Sequence, residues 1–284
     1  MIIPKVVIVR TTKGQKYADF IAKEVNLAGY CCGVTDIKNL EEYLNKNKYS
    51  PEETIIHSRT AGPNYTYKVL RNFEKQGYRI INSPEAIKLT SDKFHSCIYA
   101  MEKDIPCAET IKVYKNEAVS FIEEKIKEWK KIVVKPITSQ GQGKFCFKFD
   151  DANINQIKKI NEIPNKELVV QKFIDYLKLN RVIVIDYKAL KEAVFYDAPD
   201  QGWKCSVCLN TKIKCYKNPD RDLLEFAENV AKKFKAEISF IDIFSTKNGY
   251  VLNEINTACS LIIHERLSRY NISKKIADYL LSFI

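Results

Sequence analysis

The amino-acid sequence predicts a chain of α/β and α+β class built from three lobes, and three patterns in its 284 residues predict it. Residues 1–82 alternate short β-branched runs with polar amphipathic stretches in the order β-α-β-α-β-α-β, as a parallel sheet flanked by helices requires. Residues 83–174 mix strand and helix patterns without that alternation. Residues 175–284 place one strongly amphipathic stretch between two strand candidates and a candidate hairpin.

The elements follow in order. A strand at 5–10 opens the first lobe, then a helix at 15–28, an apolar stretch at 30–34, a polar helix at 39–47, a strand at 54–57, a helix at 65–76 and a strand at 79–82. Ser83-Pro84-Glu85 is a helix start, with Ser as N-cap and Pro at the first helical position, and Ser91-Asp92 offers a second. The lobe boundary is expected there. Ile105-Pro106 ends the helical stretch. A strand at 108–114, a helix at 117–130, a strand at 131–136, a glycine loop, a strand at 145–149, a helix to 161 and a strand at 168–174 complete the central lobe. The last lobe reads as strands at 181–186 and 189–196, a helix at 220–235, strands at 238–245 and 250–255, and helices at 258–270 and 273–282. The tripeptide Lys247-Asn248-Gly249 between two apolar runs is a strong hairpin signal.

Composition narrows the function classes. A net charge of +11 attracts polyanions, yet the excess Lys is spread along solvated helix faces, with no recognition motif or Arg-rich tract, so a dedicated nucleic-acid partner is not expected. Nine irregularly spaced cysteines are unlike a secreted disulfide framework, and the N-terminal apolar run is too short for a signal peptide or a membrane span. The expectation is a cytoplasmic chain with mostly reduced thiols and no membrane partner; a homo-oligomer is left open.

Two constellations carry chemistry. In the last hairpin, strand alternation sets Asp242 opposite in facing to Ile241 and Ile243, and sets Glu254 and Asn256 on one face of the returning strand, so Asp242 lies near Glu254 or Asn256 across an antiparallel ladder. Three hard oxygen donors suit a magnesium ion that keeps waters and takes nucleotide phosphates. The plainer alternative is the wet side of an amphipathic hairpin. In the second, a buried strand ends on Lys135-Pro136 and is followed by Ser139-Gln140-Gly141-Gln142-Gly143-Lys144, an arrangement that brings backbone N–H groups against phosphate oxygens. It is neither a Walker A loop nor a dinucleotide fingerprint, and an ordinary tight turn is the alternative. No Ser-His or Cys-His nucleophile context is present, and Cys205-x-x-Cys208 with Cys215 resembles part of a zinc site that lacks a fourth ligand.

In order along the chain, these pieces resemble the ATP-grasp superfamily, and within it the RimK-like carboxylate-amine ligases that add amino acids, often glutamate, to a carboxylate. The resemblance rests on Ser58-Arg59 with 67–74, Asn82-Ser83-Pro84-Glu85 with Ser91-Asp92-Lys93, Ile105-Pro106 to Thr110, Val133-Val134-Lys135-Pro136 with the glycine loop, Val170-Gln171-Lys172-Phe173-Ile174, and Asp242 with Glu254-Ile255-Asn256. It covers nearly the whole chain. It implies an ATP-grasp fold with a Rossmann-like N-terminal lobe (1–82), a central nucleotide-binding lobe with its lead-in helices (83–174) and a C-terminal lobe with the metal ligands (175–284).

The resemblance further implies that Lys93 and Lys135 contact ATP phosphates, that Ser139, Gln140, Gly141 and Gly143 cover them as a closing lid, and that Gln171, Lys172, Phe173 and Ile174 lie along the adenine mainly through backbone groups. Asp242, Glu254 and Asn256 would hold Mg²⁺, with Mn²⁺ as a substitute. Arg181 would steady the transferred phosphoryl group, and Arg59 and Lys204 would meet substrate. The implied partners are ATP, an amino acid supplying the amine, and an acidic small-molecule, peptide or protein acceptor. Leu179 stands where the family carries Asp, Lys172 where an acidic residue is usual, Cys259-Ser260 replaces Pro-Gly, and the stretch at 204–212 lacks the usual Asn and paired glycines. These departures leave the substrate open and keep three alternatives in view: a non-catalytic nucleotide-binding relative, a ligase of another acceptor class, and a basic nucleic-acid-binding protein.

Overall fold

The computed structural model describes residues 5–10, 15–60, 64–138, 145–198, 203, 205 and 213–284. Three sheets account for the described strands. The first is wholly parallel: β1 (Lys5–Arg10) pairs with β2 (Cys31–Asp36) and β3 (Thr54–Arg59), and β3 pairs with β4 (Arg79–Ile81). Helices α1 (Gln15–Leu27), α2 (Leu40–Lys46) and α3 (Asn64–Lys75) make the crossovers. The expected alternation is what forms, and β1 is buried because it is central, with both faces covered.

Two short helices follow, each with its own cap. The Ser83 hydroxyl accepts from the Ala86 N–H at the start of α4 (Pro84–Ser91), and the Asp92 carboxylate accepts from the His95 N–H at the start of α5 (Lys93–Glu102). The second cap makes Lys93 the first residue of a new helix. Although contiguous with the central lobe in sequence, α5 buries Ala100, and Ile105 beyond it, against Val182, Val184 and Ile241 of the C-terminal sheet.

The central sheet is antiparallel, ordered β5 (Thr110–Tyr114), β8 (Glu167–Lys172), β6 (Lys131–Pro136), β7 (Phe147–Asp150). One face packs α6 (Ala118–Trp129) and the segment Ile154–Glu162 around a core of its own, including Ile122, Trp129, Ile132, Val134, Phe149, Leu168 and Val170. That segment is 3₁₀ where an α-helix was expected. Its apolar residues explain why: Ile154, Ile157, Ile160 and Ile163 recur every third position, the period of a 3₁₀ turn, and the last three are buried.

The C-terminal sheet runs β11 (Lys214–Cys215), β10 (Lys188–Asp197), β9 (Lys178–Ile185), β12 (Ile238–Thr246), β13 (Gly249–Asn256). The short edge strand β11 is an addition to the expected set. One face carries α7 (Arg221–Lys233) and α5; the other shares a core with β1, α1, α8 (Ile262–Ser268) and α9 (Ile272–Leu281). The expected helix at 258–270 is shortened at its start, because Arg59 draws the Thr257 and Cys259 carbonyls toward the first lobe. A second tie is the Asn82 side-chain amide, which donates to the Ile238 carbonyl (2.7 Å) and accepts from its N–H (2.8 Å), joining the end of β4 to the start of β12. Among the described residues no helix is long and apolar enough to cross a membrane.

Two buried imidazoles make this shared core acid-sensitive. His57 Nδ1 donates to the Ile81 carbonyl at 2.8 Å, and burial first, then the Arg59 charge, pushes the ring down to about 3; His264 is pushed down to about 4, again chiefly by burial. Both folded values lie below the unfolded value near 6.5, so the unfolded chain binds the extra protons, and stability falls as pH drops from about 6.5. The melting temperature is expected to be lower at pH 5 than at pH 7, with a slope of up to ~1.4 kcal/mol per pH unit for each imidazole. His57→Asn, which retains a donor for Ile81, should flatten that decline; an equal decline in the variant would refute the assignment.

Candidate active site

The site is built on β9, β12 and β13. Arg181 faces Asp242 across one ladder, and Asp242 faces Glu254 across the next. Residues directly opposite in an antiparallel ladder share a face, so Arg181, Asp242 and Glu254 form a row of alternating charge on one side of the sheet. Asn256, two residues beyond Glu254, lies on the same side and faces Phe240.

A single extra residue produces this row. The turn is Lys247-Asn248, one residue earlier than the Asn-Gly pair suggested, and Gly249 takes φ +113 as the first residue of β13, a backbone conformation that suits glycine. From the turn, Thr246 faces Gly249 and Ile243 faces Leu252; then the ladder skips Asn253, and Asp242 faces Glu254. Without the bulge, Asp242 would face Asn253 and the Glu254 side chain would point to the other side of the sheet. The sequence holds a trace of this, because a two-residue turn at Lys247-Asn248 leaves one residue too many between Asn248 and Glu254.

The charges in the row are paired. Arg181 donates from Nε to Asp242 Oδ1 at 2.7 Å and from Nη2 to Oδ2 at 2.8 Å, a two-pronged ion pair with both side chains more than nine-tenths buried. Burial pushes the Asp242 carboxyl up, the guanidinium pulls it back, Glu254 pushes it further up and Lys93 draws it down. All four groups therefore sit in one field. Lys93 Nζ reaches Glu254 directly from the first turn of α5.

The same helix start touches the central lobe. The Lys93 N–H donates to the Ile137 carbonyl at 3.0 Å, and Asp92 bridges Thr138. Lys135 lies two residues before Ile137. Because Ile132 and Val134 belong to the central core, alternation puts Val133 and Lys135 on the opposite face of that sheet. Gln171 is on that face too, buried, and its amide donates to Thr110 Oγ1 (2.7 Å) and the Cys97 sulfur (3.2 Å). The Lys172 ammonium instead pairs with Glu109 at 2.8 Å. Phe173 lies 6.2 Å from Trp203 and 6.3 Å from Tyr176 between ring centroids, and Ile174 follows it, half-buried.

Arg59 is buried and spans the two outer lobes, donating to the Thr257 and Cys259 carbonyls with its guanidinium over the Phe240 ring. Ser139, Gln140, Gly141, Gly143 and Lys204 lie outside the described residues, as does Cys208. Among the described residues no group of three or more His, Cys, Asp or Glu side chains could hold a metal, so the partial zinc pattern is not completed there. Two carboxylates and an amide oxygen on one sheet face are nevertheless a hard-donor set, which fits Mg²⁺ rather than a soft ion.

The family model for the RimK-like ATP-grasp domain matches residues 90–280. The coenzyme γ-F420-2:α-L-glutamate ligase of Methanocaldococcus jannaschii is 25% identical over 280 residues, covering 93% of each chain. The tetrahydromethanopterin:α-L-glutamate ligase of the same organism is 24% identical, covering 72% of this chain and 71% of its own. Among solved structures, the ATP-grasp ligase PsnB bound to its precursor peptide and AMPPNP superposes with a TM-score of 0.72 at 14% identity, over 99% of this chain and 98% of its own. The D-alanine–D-alanine ligase of Bacillus anthracis gives 0.71 at 16% identity, over 99% and 96%.

The buried pair sets a stability test. Arg181→Met leaves a desolvated carboxylate without its guanidinium and is expected to lower unfolding stability by about 3–5 kcal/mol. Adding Asp242→Leu should recover most of that loss in urea unfolding. A single variant within about 1 kcal/mol of the native chain would show that the pair does not hold this sheet together.

Proposed function

Because the chain belongs to the RimK-like ATP-grasp family, we propose that it joins the amino group of an amino acid, glutamate first among them, to a carboxylate of an acidic acceptor, using ATP. The single observation that carries the reading is the charged row Arg181, Asp242, Glu254 with Lys93 at its end, set beside β6, the strand that carries Lys135. The α-L-glutamate ligases similar to the sequence support glutamate as the amine.

A carboxylate and an amine do not condense unaided, since the leaving group would be oxide. Attack of the acceptor carboxylate on the γ-phosphoryl group gives an acyl phosphate and ADP; attack of the neutral amine on the acyl carbon then releases phosphate, and the amine nitrogen gives up a proton. Negative charge gathers on the transferring oxygens in the first step and on the acyl oxygen in the second. Lys93, Lys135 and Arg181 meet that charge with positive groups fixed before the reaction, Lys93 by the start of α5, Arg181 by its two bonds to Asp242. Asp242, Glu254 and Asn256 would hold Mg²⁺, which when bound neutralises phosphate oxygens. Residues 171–174 would lie along the adenine through their main chain. The reading uses no nucleophile from the protein, in keeping with the absence of a nucleophile motif in the sequence.

The test is ADP release by the full chain with Mg-ATP, glutamate and a panel of acidic acceptors, followed by weighing of the product. A mass gain of one glutamate residue on the acceptor is expected. Asp242→Asn and Glu254→Gln should lower turnover by about two orders of magnitude. Undiminished ADP production in both would refute the metal assignment, and ATP binding without ADP release for any pair would identify a non-catalytic relative.

A further inference from the structure

The buried carboxylate of Asp197 plays no part in the scheme above, and its placement assigns it one. Asp197 is the last residue of β10 and faces Leu179 of β9 directly; two pairs further along the same ladder, Phe195 faces Arg181. Opposite residues share a face and alternate residues return to it, so Asp197 lies on the same side of the sheet as Arg181, Asp242 and Glu254, one row toward the end of the strand. The diagonal from Asp197 to Arg181 is a spacing of roughly 7–8 Å between backbones, about the reach of an amino acid.

The carboxylate is 3% exposed, and its Oδ2 has no hydrogen-bond partner among the described residues. The groups around it are committed elsewhere. Arg181 is bonded to Asp242. The Tyr176 hydroxyl, within the field of Asp197, donates to the Trp203 carbonyl at 2.6 Å and accepts from the Cys205 N–H at 3.1 Å. Leu179, Phe244 and Val251 continue the row, and the Tyr176 ring stacks on Phe244 at 4.4 Å. An acid walled by aromatic and aliphatic side chains is costly to bury alone and is an avid partner for an organic cation.

We propose that Asp197 is the amine-recognition residue: it binds the ammonium group of the incoming amino acid beside the charged row. This rests on the ligase reading for its choice of ligand. Every amine donor carries that ammonium in water, whereas an acceptor need carry no positive charge, so an acid on this face beyond the charged row selects the amine. In sequence Asp197 is one acid among many, and its place opposite Leu179 emerges only from the β9–β10 register.

The experiment titrates the full chain, loaded with Mg²⁺ and AMPPNP, with L-glutamate and with L-2-hydroxyglutarate, in which a hydroxyl replaces the ammonium. The native chain is expected to prefer glutamate by at least ~10-fold, the worth of one charge-assisted hydrogen bond. Asp197→Asn should reduce that preference to within about 2-fold while leaving AMPPNP affinity and melting temperature at or above native values, since no partner is lost. Equal binding of the two ligands by the native chain, or an undiminished preference in the variant, overturns the proposal. So does a variant, Asp197→Asn or Asp197→Ala, that melts well below the native chain, because that shows a structural partner. A native chain that prefers glutamate yet releases no ADP with any acceptor fails the ligase reading and leaves the Asp197 assignment standing.

Discussion

Two carboxylates directly opposite one another on neighbouring strands repel, and everything about the C-terminal sheet answers that constraint. At a side-chain separation near 5 Å the repulsion amounts to a few kcal/mol even in a moderately polar interior. Arg181 cancels one charge from the strand on the far side of Asp242, and Lys93 cancels the other from a helix that belongs to neither strand. Because Lys93 must reach Glu254, α5 has to begin at the junction of two lobes, and the Asp92 cap starts it there. The local rule that begins a helix thus also positions a charge about which the rule itself carries no information.

Much of this was legible in the residues. Alternation over 1–82 gave the parallel sheet, the two caps at Ser83 and Asp92 gave both lead-in helices, and Asn-Gly between apolar runs located the last hairpin to within one residue. What escaped was whatever depends on register or on the partner of a face. The bulge at Asn253 decides which side Glu254 takes, and a sequence shows it only as one surplus residue. The packing of α5 on the C-terminal sheet is a choice between two apolar surfaces that a helix pattern does not distinguish. The 3₁₀ segment could have been read from its three-residue spacing of isoleucines, a period short enough to be mistaken for an ordinary amphipathic turn.

The lobes are unequal in how they are joined. The first and last share a core and two polar seams, through Arg59 and through the Asn82 amide. The middle sheet keeps a core of its own and meets its neighbours through single contacts, such as the Lys93 N–H on the Ile137 carbonyl, the Gln171 amide on the Cys97 sulfur and the Phe173 ring beside Tyr176. Strand β6, which carries Lys135, therefore belongs to a different sheet and core from the one that carries Arg181 and Asp242.

That separateness reaches beyond the site. A lobe with its own core is a cooperative unit in its own right, and units of this kind open at their own free energies rather than at the global one. Slow hydrogen exchange should follow the two outer lobes together and the middle lobe apart, so local melting of the one leaves the other intact as a template for its return.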